Sequence, residues 1–205
     1  REMTEGRIIH AVVEQFSTRE PEVLESLEKF DKQKVFELFL QLVQRIKQEI
    51  FDKDSKSIYF FKIDTKELEK KIDKLLEKEI LLRVKSIEET MKKGFIKTDL
   101  ITNLSPKYFS EFPLLSENLR LKGRADRIMI SEDIILYELK TRDIDRVYES
   151  DEIQIAAYSM LLEEKFNKKP ALCILEAGNQ SFEINVEHKK SKVLHIIEEM
   201  DSVLK

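Results

Sequence analysis

The sequence predicts an α/β protein in which a mixed central sheet is flanked by helices and joined to a helical lobe. Three observations support this class. The first half of the chain carries apolar residues at helical spacing. Between about residues 111 and 187, short β-rich apolar runs alternate with polar connections. A stretch with helical periodicity, residues 150–166, interrupts those runs, so strands and helices share the second half.

The start of the chain predicts an amphipathic helix over residues 5–16, extending toward residue 20. Proline lacks a backbone N–H and clashes with the preceding turn, so Pro21 is expected to break or restart this helix. Residues 22–52 hold one or two further helices, with an apolar face centred on Phe39.

A long helix is predicted from residue 65 to about 93, with Gly94 as its C-terminal stop. Its apolar stripe forms part of the core, and a coiled-coil or dimer contact is the alternative. The preceding segment, residues 57–63, reads as a short strand or an aromatic loop anchor, and residues 95–110 read as a loop.

The second half predicts strands joined by hairpins. Residues 111–121 lead into a strand before Gly123, where the backbone needs room or an unusual dihedral angle. Ser150 is a plausible start for the helix that follows the strands. The remaining elements are two hairpins, formed by 127–130 with 134–139 and by 171–177 with 181–187, and a last helix over about 189–204.

Two acids and a lysine in the first hairpin form the most informative pattern. Strand side chains alternate between faces, so Glu138 and Lys140 project from the same face. A neighbouring antiparallel strand brings Asp126 close to Glu138. Two carboxylates can hold a hard divalent cation, and a lysine beside them can act on a water, which is the minimal set for metal-dependent hydrolysis of a phosphodiester. The alternative is a weak surface ion pair, but an acid in an apolar strand is costly unless it is paired or liganded.

Polar residues on the next helix extend this pattern. Gln154 and Tyr158 are four positions apart and therefore share one helix face, from which they reach toward the metal or a phosphate. Far upstream, His10 is the candidate nitrogen ligand, although a histidine between apolar neighbours is often a core residue. Glu117 is an accessory acid or a surface residue, and both His188 and His195 are interpreted as surface residues.

These motifs together resemble the RecB-like branch of the PD-(D/E)XK nuclease superfamily. Within that branch, the sequence is most similar in its motifs to the RecB-like exonucleases associated with CRISPR adaptation and their counterparts in archaeal viruses. The similarity covers residues 5–16 and about 112–187, and the four motifs occur in the family's order. The motifs are Gly6-x-x-x-His10, Gly123-x-x-Asp126, Glu138-x-Lys140 and Gln154-x-x-x-Tyr158.

The resemblance implies a restriction-endonuclease-like core and a metal site. Asp126 and Glu138 would be the carboxylate ligands, His10 a further ligand, and the backbone carbonyl of Leu139 an additional oxygen. The metal would be Mg²⁺ or Mn²⁺, and the nitrogen ligand makes Mn²⁺ a credible preference.

The resemblance also implies catalytic roles for three polar side chains. Lys140 would orient or activate the attacking water and steady charge on the phosphate. Gln154 and Tyr158 resemble the pair that positions the lysine and the nucleic-acid backbone. Ala125 stands where proline often sits in this family, at a position that tolerates change.

Cysteine content excludes one feature of the CRISPR-associated relatives. Many of them hold an iron–sulfur cluster on four cysteines, whereas this chain has a single one. One thiol cannot hold such a cluster. Cys173 is therefore interpreted as a small buried strand residue.

Composition predicts one soluble domain spanning residues 1–205: a motif helix (5–20), a helical lobe (21–110), a catalytic core (111–187) and a C-terminal helix (188–205). There is no run of eighteen apolar residues, so we expect no membrane association and a cytoplasmic location, in the host cell if the protein is viral. The net charge of −4 argues against a generally basic nucleic-acid binder but not against a metal-assisted nuclease.

The expected function is metal-dependent hydrolysis of DNA by an exonuclease or end-processing enzyme, acting on single strands, ends or branches in replication, repair or recombination. One alternative is a structure-selective endonuclease that cuts four-way junctions as a homodimer. Another is a non-catalytic nucleic-acid- or protein-binding module on a nuclease fold. A purely structural helical assembly protein would leave the acid and lysine pattern without a role.

Overall fold

The computed structural model describes residues 2–140, 144–177 and 180–203. The chain divides into two compact units, Arg1–Lys107 and Tyr108–Lys205. The boundary lies close to the junction predicted between the helical lobe and the catalytic core. That the two units act as one domain stays a prediction.

The first unit is helical. Aspartates begin two of its long helices, because the Asp31 side chain accepts a hydrogen bond from Lys34 N and the Asp64 side chain accepts from Lys66 N and Glu67 N. Gly94, with φ of +90°, follows α4 and confirms the predicted stop. The helices are α1 (Glu2–Glu25), α2 (Lys32–Lys53), α3 (Ser55–Phe60), α4 (Thr65–Met91) and α5 (Lys97–Asn103).

Pro21 does not interrupt the first helix, contrary to the prediction, because α1 continues to Glu25 with the proline inside it. A proline in a helix interior costs about 3 kcal/mol. Apolar side chains on both sides of it, including Phe16, Val23 and Leu24, are buried in the unit's core and offset that cost.

The stripe of α4 packs inside the chain's own core. Leu68, Ile72, Ile80 and Ile87 are buried with α1 and α2 side chains in one cluster. A coiled-coil or dimer role for this stripe is therefore wrong, because the apolar face is already covered. The apolar face predicted around Phe39 on α2 is likewise buried.

Two segments of the first unit were assigned the wrong structure. Residues 55–60 form the short helix α3 instead of a strand or a loop anchor, because the chain leaves α2 at Asp54 and turns directly into a new helical turn, in which Ile58 N donates to Asp54 O. Within residues 95–110, α5 covers Lys97–Asn103 and buries Leu100 in the core, so that part is not a loop.

The second unit contains a mixed five-stranded sheet, as predicted. Strand order follows the chain, β2 and β3 are antiparallel, β3 and β4 are parallel, and β4 and β5 are antiparallel. Helix α6 packs against β2 and β3, and α7 packs against α6. The elements are β1 (Lys107–Ser116), β2 (Leu121–Ile130), β3 (Ile134–Lys140), α6 (Glu149–Phe166), β4 (Leu172–Ala177), β5 (Gln180–Glu183) and α7 (Glu187–Val203).

Boundaries in this unit differ from the predictions in two places. Residues 111–121 do not form one lead-in segment: β1 begins at Lys107, a turn covers 117–120, and Gly123 lies inside β2. Helix α6 begins one residue before Ser150, with Tyr148 as its N-cap residue, because the chain is already helical at Glu149. Both predicted hairpins are present, although residues 178 and 179 of the second lie outside the described part of the chain.

The core of the second unit lies between the sheet and α6. Leu136, Leu175 and Ile155 are buried in it together with Cys173. Burial raises the pKa of the Cys173 thiol to about 11, so it is a neutral packing residue, as predicted. Across the described residues, no helix is long and apolar enough to span a bilayer.

Candidate active site

The hairpin of β2 and β3 brings the two predicted acids together. The register pairs Arg127 with Tyr137, and its continuation places Asp126 opposite Glu138. Both side chains are largely buried, at 9% and 3% exposure. The backbone N–H of Leu139 donates a hydrogen bond of 2.7 Å to Asp126 Oδ2, which fixes the orientation of that carboxylate.

One oxygen of Glu138 has protein partners and the other does not. Oε1 accepts hydrogen bonds from Lys140 Nζ at 3.0 Å and from Gln154 Nε2 at 2.8 Å. Oε2 is buried without a hydrogen-bond partner among the described residues. Burial raises the pKa of Glu138 above its usual value, although the charge of Lys140 opposes the shift. A buried carboxylate oxygen left without a donor is costly, and a cation would satisfy it.

Lys140 is held as a cation between two acids. Its Nζ lies 3.0 Å from Glu138 Oε1 and 3.1 Å from Asp151 Oδ1. Burial lowers the pKa of Lys140, but the charges and hydrogen bonds of the two acids outweigh burial, so the pKa is raised. A protonated lysine donates to a water or a phosphate oxygen and does not accept a proton, which favours an orienting and charge-stabilising role over that of a general base.

Asp151 is a member of this cluster that the sequence analysis treated only as part of a helix start. It is buried, lies in the first turn of α6 and pairs with Lys140. A signal for it exists in the sequence, because Asp151 is three residues before Gln154 and seven before Tyr158, the spacing of one helix face.

Gln154 and Tyr158 meet on the predicted face of α6. Gln154 Nε2 donates to the Tyr158 hydroxyl at 3.2 Å as well as to Glu138, so one amide links the tyrosine to the acid. Gly123 makes room for this contact: a β-carbon there would lie 2.4 Å from Cε1 of Tyr158. The requirement for space at Gly123 is therefore confirmed.

Replacing Gly123 by alanine is expected to displace the Tyr158 ring and to destabilise the protein by about 1–3 kcal/mol through overpacking. Urea unfolding measures the loss. In a Tyr158→Ala background, which removes the clashing ring, the same change should cost far less; an equal cost in both backgrounds would contradict this explanation.

Glu111 is a second acid near the site that the sequence analysis did not select. It lies on β1, is 6% exposed, and has φ of +54°, a left-handed conformation that costs about 1–2 kcal/mol outside glycine. A carboxylate oxygen of Glu111 lies within 4.8 Å of one from Asp126. Strained, buried residues of this kind are concentrated at functional sites. The sequence pattern gives no signal for Glu111, since apolar and polar residues do not alternate regularly around it.

The donor set of the second unit fits a hard divalent cation. Asp126, Glu138 and Glu111 supply buried carboxylate oxygens, and one oxygen of Glu138 has no partner among the residues described. Carboxylates are the ligands that Mg²⁺ and Mn²⁺ prefer. The backbone carbonyl of Leu139 as a ligand stays a prediction.

His10 lies on α1 in the first unit, on the exposed side of the helix between buried Ile9 and Val12. It is therefore not a core histidine of that helix, and its role as a ligand stays a prediction. Glu117 is exposed in a turn, which places it among the surface residues. His188 and His195 are exposed on α7, as predicted, and His195 lies 3.3 Å from Glu199.

The family model described as the PD-(D/E)XK nuclease superfamily matches residues 1–203, which is nearly the whole chain. No curated protein matches the chain.

Proposed function

Because the chain belongs to the PD-(D/E)XK nuclease superfamily, whose fold its mixed sheet and flanking helices share, we propose that it is a divalent-metal-dependent deoxyribonuclease. Within that superfamily we assign it to the RecB-like branch, as an exonuclease or end-processing nuclease of DNA replication, repair or recombination. The assignment rests on the motifs around His10, Gln154 and Tyr158, which follow that branch in order and spacing.

The observation that carries the proposal is the state of Glu138. Its carboxylate is buried, one oxygen accepts two hydrogen bonds, and the other has no partner in the described residues. A buried carboxylate oxygen without a donor is uncommon in a folded protein, and it leaves room for a cation to coordinate. With Asp126 beside it, this oxygen supports the assignment of a cation site.

The residues divide the work of hydrolysis between them. A bound Mg²⁺ or Mn²⁺ supplies Lewis-acid activation of water and neutralises charge on the phosphate. Asp126 and Glu138 would hold the ion, and Glu111 would contribute further negative charge. Lys140, kept protonated by Glu138 and Asp151, donates to the non-bridging phosphate oxygen, where charge develops in the transition state.

The remaining side chains position this machinery. Gln154 and Tyr158 fix the orientation of Glu138 from α6, so that the carboxylate keeps one oxygen for the ion. We also propose His10 as a nitrogen ligand supplied by α1. A mixed nitrogen and oxygen ligand set would favour Mn²⁺ over Mg²⁺.

The test is cleavage of labelled linear single strands, circular single strands, linear duplex and four-way junctions with Mg²⁺, Mn²⁺ or EDTA. We expect cleavage of linear single strands that requires a divalent metal and is faster with Mn²⁺. Cleavage of circular single strands would show that the protein is an endonuclease and not an exonuclease. Cleavage of four-way junctions alone would favour the dimeric junction enzyme. Protein that binds Mn²⁺ but cuts none of these substrates would contradict the proposal.

A further inference from the structure

Three consecutive aromatic residues on the first unit are exposed to solvent. Tyr59 is 88% exposed, Phe60 is 76% exposed and Phe61 is 41% exposed. We call these three residues the aromatic patch. Phe60 and Phe61 contact each other edge to face, with ring centroids 5.0 Å apart. Contiguous exposed apolar side chains on a folded surface often mark an interaction site.

The backbone holds the aromatic patch in this orientation. Helix α3 ends in a Schellman motif, in which Ile63 N donates to Ile58 O at 3.0 Å and Lys62 N donates to Tyr59 O at 3.2 Å. Lys62 is in the left-handed conformation that this motif requires, with φ of +49°. Ile63 is buried and anchors the turn, so the rings project from a fixed helix end.

An open pocket of about 650 Å³ adjoins the aromatic patch. Its size is in the range of pockets that hold small planar ligands. Much of its lining is apolar or aromatic, from Phe51, Ile58, Tyr59 and Phe60, and its polar side chains include Lys62 and the carboxylate of Asp52. A flat ring that leaves water can therefore stack on the exposed rings and enter this pocket.

Four lysines surround the aromatic patch in sequence. Lys53, Lys56, Lys62 and Lys66 are exposed, and none has an ion pair within the part of the chain that the structure describes. On α3, Lys56 is three residues before Tyr59 and four before Phe60, which places it on the same side of the helix as both rings.

The nearby acids are mostly engaged with other groups. Asp54 pairs with Arg7 at 2.6 Å, and the Asp64 side chain caps α4. Asp52 accepts a hydrogen bond from Gln48 at 3.0 Å. Asp52 and Asp64 keep their negative charges, because their hydrogen-bond donors are neutral. The four lysines still outnumber these two acids, so the surface suits an anion with flat apolar parts.

We propose that the aromatic patch and its four lysines bind single-stranded DNA. Bases stack on Tyr59 and Phe60, while the lysines contact the phosphates, the combination used by proteins that hold single strands without sequence preference. This inference rests on the proposed function, which makes DNA the substrate. A second copy of the chain fits less well, because two lysine-rich patches brought face to face would repel each other.

The experiment is fluorescence anisotropy of a labelled oligothymidine strand with the whole protein in EDTA, which prevents cleavage. In the double variant Tyr59→Leu, Phe60→Leu the apolar area is kept and the aromatic faces are lost, and the Kd should rise about tenfold or more. The single variant Tyr59→Trp keeps an aromatic face at this position and should bind the strand as tightly as the parent or more tightly. Lys56→Gln should weaken binding and flatten its salt dependence by the contribution of about one phosphate contact.

A matched control is Leu81→Ala, which removes an exposed apolar side chain from α4 outside the patch and should leave binding unchanged. A strand of the same length without bases should bind weakly and equally to parent and double variant, since phosphate contacts alone remain. Circular dichroism verifies that the exposed replacements leave the fold intact.

Binding and cleavage assays separate this inference from the proposed function. If the double variant binds the strand as tightly as the parent, the patch is not a stacking surface, whatever the cleavage result. If the patch is needed for binding but the parent cuts no DNA, the nuclease proposal fails and the binding surface stands. If the parent forms a dimer that the double variant loses and DNA binding is unchanged, the patch is a self-association surface and the inference is overturned.

Discussion

Under the proposed function, replacing Glu138 by glutamine is expected to slow DNA cleavage by at least about 10³-fold and to weaken Mn²⁺ binding severely, because the ion that would activate water loses a charged ligand. Glutamine keeps the shape of the side chain. Its carbonyl oxygen would take the place of Oε1, which accepts from Gln154 and Lys140. Its amide N–H₂ would then point where Oε2 lies, so a donor would face the cation.

Comparison with Lys140→Met divides the site into two functions. This variant should cut about 10²–10³-fold more slowly while binding Mn²⁺ as tightly as the parent or more tightly, since Lys140 competes with the cation for Glu138. Single-turnover cleavage and calorimetric titration measure the two quantities. Glu183→Gln, an exposed acid on β5, is the control and should change neither. An active Glu138→Gln variant, or a Lys140→Met variant that loses the metal, would refute this division.

The sequence predicts the grouping of these side chains because a strand has a period of two. Glu138 and Lys140 share a face by alternation alone, and the short connection of residues 131–133 fixes the hairpin that brings Asp126 opposite. Helical spacing likewise places Gln154 and Tyr158 together.

The residues that sequence reasoning missed depend on contacts between distant elements. Asp151 reads as a favourable charge in the first turn of α6, and only the packing of α6 against the sheet shows that it contacts Lys140. The position of the Glu111 side chain depends on a left-handed backbone conformation in β1, which the spacing of apolar residues does not reveal.

Errors in the helical unit have a different cause. Three adjacent aromatics, at Tyr59, Phe60 and Phe61, favour a strand by propensity, and the helix there is set by its Schellman end. Pro21 lies inside α1 because the buried residues around it outweigh its local cost. Local preference fails in both places where tertiary packing or a specific turn decides the backbone.

A buried charge cluster in the helical unit produces the second large expected effect. Arg83 on α4 is 0% exposed, its Nη1 lies 2.6 Å from Glu79 Oε2, and its Nε lies 3.5 Å from Glu20 Oε2. Its guanidinium also lies over the Phe16 ring, 4.9 Å from the centroid. Burial raises the pKa of Glu20, while the charge of Arg83 lowers it. One cation thus keeps two buried acids together.

Arg83→Met is expected to lower the free energy of unfolding by about 3–5 kcal/mol, because it leaves two buried carboxylates without their cation. Urea unfolding followed by circular dichroism measures the loss. Arg45→Met is the matched control: Arg45 is exposed and pairs with Glu22 at 3.4 Å, so its replacement should cost less than about 1 kcal/mol.

The loss in Arg83→Met should also depend on pH in a defined direction. The pKa of Glu20 is already raised in the folded parent, and it rises further in the folded variant because the guanidinium that opposed the rise is gone. A folded-state pKa above the unfolded one gives stability that is present at low pH and lost as pH rises through the folded pKa. The deficit of the variant should therefore be larger at pH 8 than at pH 5. A deficit that is equal at both pH values would show that lost packing, and not uncompensated charge, is the cause.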